Sequence, residues 1–471
     1  MVINFLGNDS KICYKFISDH KQFTLKKHPV QDKLTKFIKS KIKSQKYSYT
    51  LSSSSLNKHL HPGIFISFLD FLNNNDHTTF ESIIHHCGYN TNQYAALLQI
   101  IQNKKYDEST INWFNTDGRK LTNIMYFMIK DKKINSKITD MFFFNNSNNL
   151  SDIYGSFISF DVLSQIETHF GNINYIQYSN NTNISLKIGL KDMSIRQDFV
   201  NEIIFRILLI HSLGENTCTE FDISMWLTDL KKQIHQQKLL GPREMNTAST
   251  TISNCNNVTI WRKEECLKVL VHELFHCLNY DFHENTTIIE EYLKKVLLIP
   301  LDTEIRIYEA YVETWACILN CYLCAYRIDK NFEKNAYMFL EYETEFACFQ
   351  VAKILKFFNF NNFNEFYNQT GFEKRYDNFI QTSSAISYYI IKSSFLFSCN
   401  KFLAFCDSNN TNFFKFTESP QSLNLFLELI KKSISNTKYI KKINYYFDIL
   451  SNPLPNKFIS KTLRMTCIEI L

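Results

Sequence analysis

Apolar positions along the chain follow two periods. A spacing near 3.6 recurs at roughly 32–44, 64–73, 92–103 and 120–130, again from Arg196 to His211, and through the aromatic stretches 332–360 and 384–406. Side chains three and four apart share one face of a helix, so these segments predict helices. A period of two appears between Ile173 and Leu190. Ile173 and Tyr175, then Ile176 and Tyr178, form one apolar set, and Ile184, Leu186, Ile188 and Leu190 alternate strictly after an Asn-rich turn at 180–183. That pattern predicts two strands joined by a tight connection. Thr219 to Leu227 reads as another strand, and the loop around Gly241-Pro242 precedes 246–251. A turn and a short β-rich run follow at Asn256 to Trp261.

Helical spacing returns at Cys266, Val269, Leu270, Leu274 and Leu278, with Asn279 placed to end the helix in the left-handed region. Arg262-Lys263-Glu264-Glu265 precedes it, and the two acids suit a first helical turn. A further helix is expected to start near Pro300, with Asp302 or Thr303 as cap, and to run through Trp315 and Leu319 to about Tyr326. The chain has only 10 Gly and 7 Pro against 42 Phe and 25 Tyr in 471 residues, which favours a helix-rich α+β protein over a barrel or sandwich. Asn145 to Ser151 reads as a linker. The predicted organisation is a helical region at 1–150, a core at 151–345 and a helical region at 346–471.

Within the 266–278 helix lies His272-Glu273-Leu274-Phe275-His276, an HExxH motif. Positions i and i+4 share a helix face, so both imidazoles can bind one Zn²⁺, and Glu273 lies close enough to act as general base on a water at the metal. A catalytic zinc takes three protein ligands and keeps one position open. Two sources of the third ligand stand in the chain. Glu309 and Glu313, four apart on an apolar helix, share a face, so one can ligate while the other holds the free ring N–H of a histidine. His283 is the other source. It falls one residue late for the HExxHxxGxxH spacing, where Phe282 occupies the expected place.

HExxH followed by a separate helix bearing Glu309-x-x-x-Glu313 resembles the gluzincin clan of zinc metallopeptidases. The likeness spans about 245–320, and the step from His276 to Glu309 is longer than the common form. It implies a zincin-like catalytic core, with a small sheet in an upper lobe, a helical lower lobe and a cleft between them. It also implies zinc ligands His272, His276 and Glu309, Glu273 as base, Glu313 behind a ligand, one zinc per chain, and a protein or peptide substrate. A downstream Tyr, His or Arg usually stabilises the oxyanion in such enzymes, and Tyr388 or Tyr389 are the candidates. The composition, the Arg-Lys-Glu-Glu lead and the Ser387-Tyr388-Tyr389 segment also resemble metallopeptidase-like proteins of large DNA viruses. The competing expectation is a catalytically inert protease fold with a structural or virion-associated role.

Charge and cysteine content narrow the rest. The net charge of +6 is spread out, and the densest basic run, Lys33 to Lys46, reads as a solvated helix face without a nucleic-acid signature. No 18-residue uncharged apolar run predicts a membrane span, and the N-terminus lacks the form of a secretory signal. Thirteen scattered cysteines then suggest reduced thiols and a cytoplasmic location. Cys317, Cys321 and Cys324, at i, i+4 and i+7, read as core cysteines.

Overall fold

The computed structural model describes residues 5–44, 69–70, 72–74, 77–103, a few positions between 158 and 166, and 173–470 with breaks at 180–181, 190–195, 215–217, 236–237, 284–285, 298, 301, 330, 368–378 and 455. The expected helix at 120–130 and the linker at 145–151 lie outside the described residues. The chain divides into two compact units, one of residues 1–52 with 157–471 and one of residues 53–156. The first unit opens with α1 (Asn8–His20) and α2 (Pro29–Ser44). In the second unit, α3 (His77–Cys87) and α4 (Thr91–Asn103) bury Phe80, Ile83, Leu97 and Ile101.

The larger unit holds a five-stranded mixed sheet. Its strands are β1 (Ile173–Ser179), β2 (Asn183–Gly189), β3 (Glu220–Thr228), β4 (Ala248–Thr251) and β5 (Asn254–Arg262), in the order β1-β2-β3-β5-β4. β1 pairs antiparallel with β2, β2 and β5 flank β3 in parallel, and β4 pairs antiparallel with β5. Alternation of apolar and polar residues in β3 puts Phe221, Ile223, Met225 and Leu227 on the buried face. β5 is buried at every position from Val258 to Arg262, because it is covered on both faces. β4 is short, lies at an edge, and carries small residues that are half-buried or exposed.

The helices cover this sheet. After α5 (Gln197–Ser212) come α6 (Cys266–Cys277), α7 (Thr287–Val296), α8 (Ile307–Ile328) and α9 (Glu333–Phe357). Every residue of α6 is buried. Leu270, Leu274 and Phe275 are each fully covered, stabilising the fold by roughly 1.5–3 kcal/mol apiece. Arg206 of α5 ties three helices together. It donates to Glu202 (2.8 Å), to the Leu267 carbonyl at the start of α6 (3.1 Å) and to Asn320 Oδ1 of α8 (2.9 Å). The downstream region adds a π-helical turn at Ile386–Ile391 and helices at Lys392–Phe397, Cys399–Asn409, Pro420–Ile434 and Thr437–Leu450. The last residues, through Ile468, run in the interior beside α8 and α9.

Two local expectations are corrected. α8 starts at Ile307 and not at Asp302 or Thr303. Residues 303–306 lie outside any helix, with Thr303 and Ile305 buried and Arg306 bonded to Glu304. Glu264 and Glu265 precede α6 instead of forming its first turn. Glu265 adopts the left-handed region (φ 62°), an uncommon state for a side chain with a Cβ. It is held there because its Oε1 accepts the N–H groups of Met465 (2.7 Å) and Thr466 (2.6 Å) and its Oε2 pairs with Lys232 (2.6 Å). Among the described residues no helix is long and apolar enough to cross a membrane.

Candidate metal centre

α6 and the first turns of α8 face each other. The one-face spacing of His272 and His276 meets the one-face spacing of Glu309 and Glu313. His272 Nε2 and His276 Nε2 stand 3.1 Å apart, and Glu309 Oε2 lies 3.1 Å from the first and 3.3 Å from the second. Three donors each about 2.0–2.1 Å from a tetrahedral zinc would stand about 3.3 Å from one another. Two imidazole nitrogens and one carboxylate oxygen also form a donor set that zinc accepts. The residues present therefore fit the ion, and one coordination position would remain open.

The remaining ring nitrogens are each held by a carboxylate. Glu313 Oε2 is 3.0 Å from His272 Nδ1, and Asp281 Oδ2 is 2.5 Å from His276 Nδ1. A carboxylate at Nδ1 keeps the proton on that nitrogen and leaves the Nε2 lone pair facing the donor cluster. Glu313 is itself fixed by Lys268, one helical turn before His272, whose Nζ is 2.6 Å from Glu313 Oε1. Both partners are at most 2% exposed. Burial pushes the Glu313 carboxyl up, but Lys268 and His272 together outweigh it and hold the group well below the usual carboxylate range. Glu309 behaves alike, with burial offset by the two histidines. Burial raises Glu273, with the histidines opposing it.

His283 is not among these three donors. Its Nε2 lies 3.1 Å from Asp281 Oδ1, so it stands behind Asp281, which stands behind His276. His276, Asp281 and His283 form a second cluster able to contact an ion, but only His276 belongs to both. Asn279, with φ 55°, turns the chain at the end of α6 and brings Asp281 back onto the histidine. The two tyrosines separate. Tyr388, on the π-helical turn, is half-buried and borders the cleft near Glu309, and its ring packs 6.0 Å from that of His272. Tyr389 is 1% exposed and its hydroxyl donates to the Leu463 carbonyl, so it faces away from the cleft.

The donors lie in a cleft of about 350 Å³ bordered by β4, α6, the start of α8 and the segment before the π-helical turn. Glu273 lines it. Sequence reasoning missed Asp281, Lys268 and Tyr308, whose ring packs against both His276 (6.0 Å) and His283 (4.8 Å). Lys268 was visible in principle, as it lies at i−4 to His272 on the same helix. Cys317, Cys321 and Cys324 are buried in α8.

Fold and site together define a helix-rich α+β protein with a small mixed sheet and a buried His-His-Glu cluster that can hold a metal ion. The chain is similar to an uncharacterized protein of Acanthamoeba polyphaga mimivirus, at 26% identity over 246 residues, covering 50% of this chain and 61% of that protein. The match thus reaches less than two thirds of the relative's length. No family model and no solved structure matches the chain.

Proposed function

We propose that the protein is a zinc-dependent peptidase with a zincin-like core, in which His272, His276 and Glu309 hold the ion. The observation that carries this reading is the near-equilateral set of Nε2, Nε2 and Oε2 atoms, with a carboxylate behind each histidine, on the wall of an open cleft. A structural zinc would call for a fourth protein ligand, and among the described residues the donor cluster has three members. Bound there, zinc lowers the pKa of a coordinated water to about 7 and polarises a carbonyl.

Glu273 takes a proton from the attacking water and delivers it to the leaving amide nitrogen. Burial raises its pKa, which brings it nearer the working pH of a general base that must also return the proton. Tyr388, on the wall of the same cleft, donates its hydroxyl to the developing oxyanion. Substrate binds extended against β4, whose outer edge has no partner strand among the described residues. Thr247 Oγ1 and Thr250 Oγ1 border the cleft there, buried and without a hydrogen-bond partner among the described residues. An edge strand supplies backbone hydrogen bonds to any sequence, so specificity falls to the side-chain pockets. Zinc-loaded protein incubated with a mixture of proteome-derived peptides should generate new termini, read by mass spectrometry. Glu273→Gln should generate none while keeping its zinc, and equal cleavage by that variant would refute the mechanism.

A further inference from the structure

We infer that Cys255 and Cys277 are a disulfide-forming pair, loaded through the more exposed Cys218, that bonds the end of α6 to the start of β5. Cys277 is the last residue of α6 and Cys255 lies at the second position of β5. Their sulfurs stand 2.8 Å apart, closer than two thiols rest in van der Waals contact. The backbone is already joined beside them, because the N–H of Ser253 in the β4–β5 turn donates to the carbonyl of His276 (3.2 Å). Closing the bond therefore asks for little movement of either element. The Cys277 thiol also reaches the Leu274 carbonyl (3.6 Å), while Cys317 donates to the Met465 carbonyl, Cys324 to Asn320, and Cys348 bonds Ser393.

Cys255 and Cys277 are 4% and 3% exposed, which keeps a bulky oxidant off both. Cys218, just before β3, is half-buried and neighbours Cys255, with its thiol donating to the Glu220 carbonyl (3.2 Å). It is the sulfur a small disulfide such as oxidised glutathione can reach. The exchange balances as follows. The Cys218 thiolate attacks one glutathione sulfur, forms a mixed disulfide and releases one glutathione thiolate. Cys255 displaces the second glutathione from Cys218. Cys277 then attacks the Cys255 sulfur and frees Cys218 as a thiol. Two protein thiols become one disulfide, two electrons reduce the glutathione disulfide, and the protons of Cys255 and Cys277 go to the two glutathione thiolates. The new bond staples the β4–β5 hairpin, which borders the cleft, to the helix carrying His272 and His276. None of the three sulfurs is in the donor cluster, so the inference does not rest on the metal reading.

The test uses reduced full-length protein, incubated for hours with oxidised glutathione, quenched in acid, alkylated unfolded and mapped by mass spectrometry. The expected product is a Cys255–Cys277 linked peptide pair with Cys218 alkylated. Cys277→Ala should stop the relay at a Cys218–Cys255 bond. Cys218→Ser should reach the Cys255–Cys277 product several-fold more slowly. Full alkylation of Cys255 and Cys277 in the wild type, or their pairing with other cysteines, overturns the pair. An unchanged rate in Cys218→Ser overturns the entry role of Cys218.

Discussion

Lys268→Met removes one half of a buried ion pair and leaves the other half in place. In the native protein Lys268 Nζ sits 2.6 Å from Glu313 Oε1, and neither side chain is more than 2% exposed. After substitution the Glu313 carboxylate keeps His272 Nδ1 at 3.0 Å, but its Oε1, almost fully buried at the floor of the cleft, loses its charged donor. Truncating one partner of a buried pair costs about 3–5 kcal/mol, because the surviving charge is uncompensated. A carboxylate that no longer holds its histidine in one orientation should also weaken zinc binding by roughly 10- to 100-fold. The assays are urea unfolding at pH 7 and zinc competition against a chelator, on wild type, Lys268→Met, Glu313→Gln and the double variant. The double variant removes the charge itself and still offers His272 an amide oxygen. It should therefore regain most of the stability lost in Lys268→Met, giving a coupling energy of about 2 kcal/mol or more. A Lys268→Met protein within about 0.5 kcal/mol of wild type, with unchanged zinc affinity, would refute the argument.

The two adjacent tyrosines should part company. Tyr388→Phe is expected to lower kcat by roughly 100-fold with zinc retained, whereas Tyr389→Phe should cost about 1 kcal/mol of stability by leaving the Leu463 carbonyl unpaired and leave kcat unchanged; the reverse pattern would exchange their roles. Lys353 donates to the carbonyls of Ile459 and Thr462, and burial lowers its ammonium from 10.5 to about 7. Between pH 7 and the unfolded value the unfolded chain binds the extra proton. This residue's contribution to stability therefore rises with pH, by roughly 2 kcal/mol from pH 7 to pH 9. Urea unfolding of wild type and Lys353→Met at both pH values should show that the stability difference moves toward wild type as pH rises. No change in the difference would mean that Lys353 titrates normally.

The parts of the site legible in the sequence are those fixed by helix geometry alone. His272 and His276 share a face by spacing, as do Glu309 and Glu313, and the apolar run of α8 implied that its carboxylates were buried and partnered. The alternating runs gave β1, β2 and β3 close to their observed bounds. What stayed hidden depends on chain reversals and on distant segments. Asp281 reaches His276 only because Asn279 takes a positive φ and turns the chain back, and no periodicity encodes that. Glu265 looked like a helix-start acid, but its partners are backbone N–H groups about 200 positions away. Whether Tyr388 or Tyr389 faces the cleft depends on the π-helical turn, whose wider winding rotates neighbouring side chains relative to an α-helix. α7 was missed although Ile289, Leu293 and Val296 are spaced for one face and are buried. That signal was present in the sequence, whereas the position of α8's first residue was not. The caps suggested Asp302 or Thr303, and burial of Ile305 ahead of the helix prevailed.

The central claim is that His272, His276 and Glu309 hold one metal ion. Elemental analysis of purified wild type, His272→Ala and Glu309→Ala, each supplied with zinc and dialysed, tests it most directly. The account predicts about one zinc per wild-type chain and a loss of that zinc in both variants, with circular dichroism showing that each remains folded. A wild-type chain that holds no zinc, or a folded Glu309→Ala protein that keeps a full equivalent, would contradict it.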